Sequence, residues 1–219
     1  MLEKNVIQLV VGLIATNCWI YPFGDGDVAV IDPGDNAKAI VRALEKYVKT
    51  SGQQISTIYI LLTHGHFDHT GAIPQIVSAF PGKTKIAIHS QDSEFLGPNA
   101  YKNNSLGIKV AMGSTAFIDA IWQDLPPADI LLEEGSVIGC LTVLHLPGHS
   151  LGSAAFYDKE AKVIFTGDTL FKRGYGRTDL PGGSTDQLFK SLRRLFEMDS
   201  EIKVYPGHGQ ATTIGKENR

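Results

Sequence analysis

The chain has 219 residues, of which 43% are hydrophobic and 20% charged, and its net charge at pH 7 is -3. These values are ordinary for a globular protein, so they argue against disorder and against a basic surface for nucleic acid. Two cysteines, Cys18 and Cys140, are too few for a secreted disulfide scaffold. We therefore predict reduced, buried thiols in a cytoplasmic protein.

The segment 5–24 carries no charged residue and approaches the length of a membrane-spanning helix. The positions that interrupt its apolar character are Gln8, Gly12, Thr16 and Asn17. We therefore predict two consecutive strands, at residues 6–13 and 18–22, joined by a turn near 15–17. No membrane span is expected.

A third strand is predicted at residues 27–31, and the sequence Asp32-Pro33-Gly34 ends it with a strong turn signal. A helix capped by Asp35 or Asn36 is predicted to continue to about Thr50, because its apolar residues recur at helical spacing. The next predicted elements are a strand at 57–62, a short helix at 73–80 and a strand at 85–89.

Residues 96–128 are low in charge and rich in glycine, asparagine and proline, yet they include several large apolar side chains. Two interpretations stand. The segment is an irregular surface connection, or it is a lid or pocket wall, since long loops inside compact domains are often functional.

Strand patterns return in the second half of the chain, at residues 141–146, 153–157, 163–166 and 203–205. Ser184 followed by Gln187 is typical of a capping box, which predicts a helix beginning there. No change of composition marks a boundary, so residues 1–219 are predicted to form a single domain.

The segment Thr63-His64-Gly65-His66-Phe67-Asp68-His69 follows the strand at 57–62. Burying three histidines and an aspartate together would be costly unless a cation compensated them. Imidazole nitrogens and carboxylate oxygens are ligands for Zn²⁺ and similar ions. We therefore predict a metal site at the end of this strand.

Three further candidate ligands, His149, Asp168 and His208, each follow an apolar strand and lie beside glycines. A glycine lets the backbone turn sharply, and strand ends are where site residues usually collect. His89 and His145 lie within strands without a glycine turn, so we interpret them as structural residues.

Together these residues resemble the ligand pattern of the metallo-β-lactamase superfamily. The resemblance implies an α/β fold, a four-layer αββα sandwich of two mixed sheets flanked by helices. The implied ligand sets are His64, His66 and His149 for one ion and Asp68, His69 and His208 for a second, with Asp168 as the bridge. Asp32 is either a plain turn residue or a residue that orients a ligand through a hydrogen bond.

Within this superfamily, residues 171–179 are similar to the loop after the bridging aspartate in hydroxyacylglutathione hydrolases (glyoxalase II). There a basic residue at the position of Arg177 binds the glutathione portion of the substrate. This chain departs from that pattern because Asp179 stands where an aromatic residue is common. We also expect no C-terminal helical glutathione-binding domain, so the similarity is to short glyoxalase II-like hydrolases.

The predicted function is hydrolysis of a small acyl thioester by a hydroxide that bridges two divalent metal ions. Zinc is the predicted metal, and iron or manganese suit the same ligands. A departing thiolate has a conjugate acid of pKa about 8.5, so it leaves without a strong general acid. Asp68 and Asp168 are the predicted catalytic residues, and the partner is a small-molecule thioester, with no nucleic acid and no membrane.

Three alternatives remain open. The first is a persulfide dioxygenase with a single iron held at positions matching His64, His149 and Asp168. The second is a lactonase or β-lactamase-like hydrolase. The third is a non-catalytic binding protein stabilised by metal, although structural zinc sites favour closed tetrahedral sets that are often rich in cysteine.

Overall fold

The computed structural model describes residues 6–218, and its first half forms a six-stranded sheet in the order β1-β2-β3-β4-β5-β6. The strands are β1 (Ile7–Val11), β2 (Thr16–Gly24), β3 (Asp27–Ile31), β4 (Ile58–Leu62), β5 (Thr84–His89) and β6 (Ile130–Leu132). The pairs β1–β2 and β2–β3 are antiparallel, whereas β3 to β6 pair in parallel. The first sheet is therefore mixed.

The second half forms another six-stranded sheet in the order β12-β11-β10-β9-β8-β7. Its strands are β7 (Val137–Ile138), β8 (Leu141–His145), β9 (Ala154–Asp158), β10 (Val163–Gly167), β11 (Lys203–Pro206) and β12 (Thr212–Thr213). Only β10 and β11 pair in parallel within the described strands of this sheet.

The helices are α1 (Ala37–Ser51), α2 (Phe67–Thr70), α3 (Ile73–Ala79), α4 (Ala100–Met112), α5 (Ala116–Ile121), α6 (Thr185–Phe196) and α7 (Ile214–Glu217). Two 3₁₀ turns, at Ser90–Phe95 and Gly97–Asn99, precede α4. The capping box forms as predicted, because the Ser184 hydroxyl accepts a hydrogen bond from the Gln187 amide. Asn36 precedes α1 in a left-handed conformation, and its side chain makes no capping bond.

Successive side chains of a strand point to opposite faces of the sheet, so the core is divided into layers. Val28 and Val30 of β3 pack in a cluster with residues of α1 and α3, whereas Ala29 and Ile31 pack in a second cluster between the sheets. A third cluster joins the second sheet to the apolar face of α6. The order of layers is helix, sheet, sheet, helix, and the predicted αββα sandwich of two mixed sheets is confirmed.

Several local predictions need correction. The first strand ends at Val11, and the turn occupies residues 12–15, so Thr16 already belongs to β2. The histidine-rich segment continues into the short helix α2. Residues 96–128 include α4 and α5, so the segment is not an irregular connection. Cys18 is buried as predicted, whereas Cys140 is only half-buried in the turn before β8.

None of the helices found in residues 6–218 combines the length and the apolar character needed to cross a membrane. The charge-free segment near the N-terminus pairs as β1 and β2 over the part that the structure describes. Val11, Cys18 and Ile20 of this segment pack in one core cluster of the first sheet, and Trp19 and Tyr21 pack in the cluster between the sheets.

Candidate metal centre

The first group of candidate ligands follows β4. His64 and His66 lie on the loop after Leu62, and Asp68 and His69 lie on α2. Gly65 separates the two loop histidines, and a side chain there would overlap Phe95. This close contact holds the loop against the 3₁₀ turn that follows β5.

The second group comes from three strands of the other sheet. His149, Asp168 and His208 follow β8, β10 and β11, respectively. Strands β8 and β10 both pair antiparallel with β9, and β11 is parallel to β10. The three strands therefore run in the same direction, and their carboxyl ends lie at the same end of the sheet. The pairing of the sheet therefore brings together residues that are far apart in sequence.

The structure brings all seven predicted ligands together. The groups whose ligand atoms lie within 4.8 Å of one another are His64 with His66 and His149, His64 with His69 and Asp168, and Asp68 with His69 and His208. The first and third groups have the same members as the two ligand sets that the resemblance implies. The second overlaps both of them.

Asp168 lies between the two sets. One carboxylate oxygen, Oδ2, is 3.7 Å from His149 Nε2 and 3.5 Å from His208 Nε2. The other oxygen, Oδ1, is 3.5 Å from His69 Nε2. A side chain at Gly207 would overlap this carboxylate, which explains the glycine before His208. The position suits a carboxylate that bridges two ions.

Four buried atoms of this cluster, which are His64 Nε2, His69 Nδ1, His69 Nε2 and Asp168 Oδ1, have no hydrogen-bond partner within the described chain. Leaving a buried polar group unsatisfied costs about 1–3 kcal/mol. Burial lowers the pKa of His66 to about 3 and that of His64 well below its usual value. Both imidazoles are therefore neutral, as metal ligation requires, and the donor set fits divalent cations.

Asp68 and His69 form a coupled acidic and basic pair, with 3.1 Å between Asp68 Oδ2 and His69 Nε2. Burial alone would raise the pKa of Asp68, but the adjacent imidazoles of His69 and His208 lower it well below its usual value. Asp68 is therefore ionised, and it also accepts a hydrogen bond from the Thr16 hydroxyl at 3.1 Å.

Contacts between Nδ1 and an oxygen orient the rings of three candidate ligands. His149 Nδ1 donates to the Arg177 carbonyl at 2.7 Å, and His208 Nδ1 donates to the Ile14 carbonyl at 3.2 Å. His69 Nδ1 lies 3.0 Å from Asp32 Oδ2. With Nδ1 facing an oxygen in each ring, Nε2 faces the centre of the site, where its lone pair is available to an ion once the ring is neutral.

Asp32 contacts Thr63 as well as His69. It lies at a left-handed φ of 54°, and its two oxygens accept bonds from the Thr63 amide at 2.8 Å and the Thr63 hydroxyl at 2.7 Å. The turn after β3 is thus tied to the residue before His64. The geometry favours the orienting role over that of a plain turn residue.

Asp92, which the sequence analysis did not identify, connects the two halves of the site. Its side chain is 1% exposed and accepts bonds from the Gly65 amide at 3.0 Å, the Gly152 amide at 2.7 Å and the Ser150 hydroxyl at 2.7 Å. Burial raises the pKa of this carboxyl, although the three bonds oppose the shift. A carboxylate three residues beyond a strand end is the only sequence signal for it.

His89 and His145 lie apart from the three ligand groups. Their rings stack with centroids 3.9 Å apart, and His145 Nε2 lies 2.9 Å from the Leu151 carbonyl. The stacked rings join β5 of one sheet to β8 of the other, which is in keeping with a structural role.

A cavity of about 270 Å³ opens beside the ligands. Arg177 is among its lining residues, but Nε and Nη2 of its guanidinium each bond a carboxylate oxygen of Asp179 at 2.7 Å. A larger groove of about 750 Å³ beside α6 contains none of the candidate ligands. The smaller cavity is therefore the one in which a substrate would meet the metal centre.

The model of the metallo-β-lactamase superfamily matches residues 11–208. Hydroxyacylglutathione hydrolase GloC of Haemophilus influenzae is 31% identical over 98% of this chain and 95% of that protein. The solved structure of TTHA1623 in a di-iron-bound form is 36% identical, with a TM-score of 0.79 and 98% of each chain covered. The structure of the B3 metallo-β-lactamase BLEG-1 is 32% identical, with a TM-score of 0.79 over 97% of this chain and 96% of that one.

Proposed function

Because this chain belongs to the metallo-β-lactamase superfamily, we propose that it is a metal-dependent hydrolase of small acyl thioesters. The observation that carries the proposal is the meeting of five imidazoles and two carboxylates in three overlapping groups. The similarity to a protein named hydroxyacylglutathione hydrolase supports the thioester as the bond that is cleaved.

The residues that would hold two ions follow from the groups described above. The first ion would be held by His64, His66 and His149, the second by Asp68, His69 and His208, and Asp168 would contact both. When bound, such a pair of divalent ions lowers the pKa of water toward neutrality and polarises a carbonyl group. Zinc, iron and manganese all suit nitrogen and carboxylate ligands, and the di-iron form of TTHA1623 makes iron a metal to be tested.

The chain itself contributes orientation and proton transfer. Asp32 and the carbonyls of Arg177 and Ile14 fix three imidazoles with Nε2 toward the centre, so little reorganisation is needed during the reaction. Asp68 is ionised and borders the cavity, where its carboxylate can take a proton as the acyl group is transferred.

A thioester suits this arrangement better than an amide does. The described residues that line the cavity include no lysine, tyrosine or cysteine that could protonate a leaving nitrogen. A thiolate departs unassisted because its conjugate acid has a pKa of about 8.5. The chemistry therefore needs a positioned carbonyl and a nucleophile more than it needs a strong acid.

The proposal is tested by metal quantification and thioester hydrolysis on one preparation, with S-lactoylglutathione and a neutral acyl thioester as substrates. We expect two metal ions per chain and hydrolysis that disappears on chelation and returns with added metal. A preparation with two ions and no hydrolysis of either thioester would overturn the proposal.

The same preparation distinguishes the other candidates. The similarity to the B3 metallo-β-lactamase BLEG-1 is the observation that favours a β-lactam as the second substrate class. Faster cleavage of a chromogenic cephalosporin than of either thioester would support that class. One iron per chain with oxygen uptake in the presence of a persulfide would instead support the dioxygenase.

A further inference from the structure

The cavity beside the metal centre has walls that are mainly apolar. The apolar side chains among its lining residues are Ile14, Phe67, Ile108, Ala111, Phe171 and Leu180. Its volume of about 270 Å³ lies just below the range of about 300–1,000 Å³ that is usual for small-molecule sites. A small substrate with apolar groups fits such a space.

One wall of the cavity is a face of α4. Asn104, Gly107, Ile108 and Ala111 are spaced by three and four residues, so they lie on one side of this helix. No described atom lies within 4 Å of the place where a side chain at Gly107 would begin. The wall is therefore open at its centre.

The turn between β1 and β2 also contributes to the rim of the cavity, through Ile14. Ile14 is 62% exposed there, and its carbonyl accepts the bond from His208 Nδ1. The bond holds the Ile14 backbone beside a candidate ligand. Apolar surface thus reaches the metal centre from two directions.

The positive charge of the cavity is already paired. Arg177 is the only arginine or lysine among the described residues that line it. Two of its guanidinium nitrogens donate to the two carboxylate oxygens of Asp179. This pairing lowers the pKa of the Asp179 carboxyl to about 2. A bidentate pair of this kind fixes the plane and direction of the guanidinium.

We propose that this site selects thioesters whose thiol portion is uncharged, and that Asp179 determines this selectivity by keeping Arg177 in an internal ion pair. The inference rests on the proposed thioester hydrolase function. It assigns Asp179 as a specificity-determining residue that acts through Arg177.

A substrate whose thiol portion carries free carboxylates, as glutathione does, should bind this site more weakly than one with an uncharged thiol portion. Its carboxylates would lose water against apolar walls unless Arg177 left Asp179 to pair with them. The pair is partly exposed, with 48% of Arg177 and 65% of Asp179 accessible, so its strength is that of a surface ion pair. We therefore expect a change of about fivefold when Asp179 is removed.

The test compares two thioesters that share one acyl group. S-butyrylglutathione carries free carboxylates, whereas S-butyryl-N-acetylcysteamine is neutral. Metal-loaded wild-type protein is measured beside Asp179→Asn, which removes the charge and keeps the shape. Glu160→Gln is the matched control, since Glu160 is exposed in the β9–β10 turn at the edge opposite the site and its loss changes net charge equally.

Wild-type protein should have the higher kcat/KM for the neutral thioester. Asp179→Asn should raise kcat/KM for the glutathione thioester about fivefold through a lower KM, with kcat unchanged. The neutral substrate and the Glu160→Gln control should show no change. Calorimetric titration with S-methylglutathione, which has neither a thioester nor a free thiol, should show tighter binding to Asp179→Asn than to wild type.

Hydrolysis of both thioesters with a ratio that Asp179→Asn leaves unchanged would overturn this inference alone. A wild-type preference for the glutathione thioester would do the same. Failure of metal-loaded wild type to cleave either thioester would overturn the proposed function and this inference with it. Because Asp179 is exposed, an unchanged thermal midpoint should show that the variant folds.

Discussion

The two halves of the candidate metal centre are built in different ways. The first sheet supplies four of the seven candidate ligands from residues 64–69, directly after one strand. The second sheet supplies three, each from a different strand end. The first half is a property of a short segment, whereas the second exists only once the strands have paired. The comparison predicts that residues linking the halves matter more than neighbours that belong to one half alone.

The largest effect is expected at Asp168, which contacts histidines of both ligand sets. Asp168→Ala should lower bound metal from two ions to at most one and reduce kcat/KM by more than 100-fold, beyond what loss of an outer partner usually costs. Elemental analysis and thioester kinetics measure both. A variant that keeps full activity would show that Asp168 does not bridge two catalytic ions.

Asp92 joins the halves through backbone and hydroxyl donors and lies outside the ligand sets. Asp92→Ala leaves the buried Gly65 and Gly152 amides unpaired and removes one partner of the Ser150 hydroxyl, so the free energy of unfolding should fall by roughly 2–4 kcal/mol. Denaturant unfolding of the metal-free protein measures this. Asp92→Asn keeps one acceptor oxygen, so its free energy of unfolding should lie between those of wild type and Asp92→Ala. An alanine variant as stable as wild type would show that the two halves of the site do not depend on this link.

Asp32 supports only the first half, so its effect should be smaller. Asp32→Asn replaces either Oδ2, which faces His69 Nδ1 and the Thr63 hydroxyl, or Oδ1, which accepts from the Thr63 amide, and metal affinity should fall about 10- to 100-fold. Competition with a chromogenic chelator measures the affinity. Asp35→Asn, at an exposed position of the same turn, is the control and should bind metal like wild type.

His145 provides the smallest expected effect. It stacks on His89 across the two sheets but belongs to none of the ligand groups. His145→Ala should leave metal content unchanged and kcat/KM within about twofold of wild type, as expected for a change away from the site. Loss of metal from this variant would show that the ligand list is wrong.

The same comparison explains what the sequence could predict. The cluster from His64 to His69 is visible because metal-binding residue types are concentrated in one segment. His149, Asp168 and His208 were predictable because each follows an apolar strand beside a glycine. Most core strands were also recognisable, since alternating or continuous apolar runs mark them.

Other features depend on contacts that no local pattern encodes. Asp92 has meaning only when Gly65 and Ser150 have come to its side from two different sheets. The face of α4 is weakly amphipathic, so helical periodicity did not identify it within residues 96–128. The pairing of Arg177 with Asp179 depends on side-chain geometry over three residues, which spacing alone does not determine.

The central claim is that both halves converge on one pair of cations. Anomalous diffraction from a crystal grown with a divalent transition metal tests it most directly. We predict two peaks about 3.5–4 Å apart, with Asp168 between them and the histidines of both sheets around them. Peaks elsewhere on the protein, or none within reach of His64 and His208, would contradict the account.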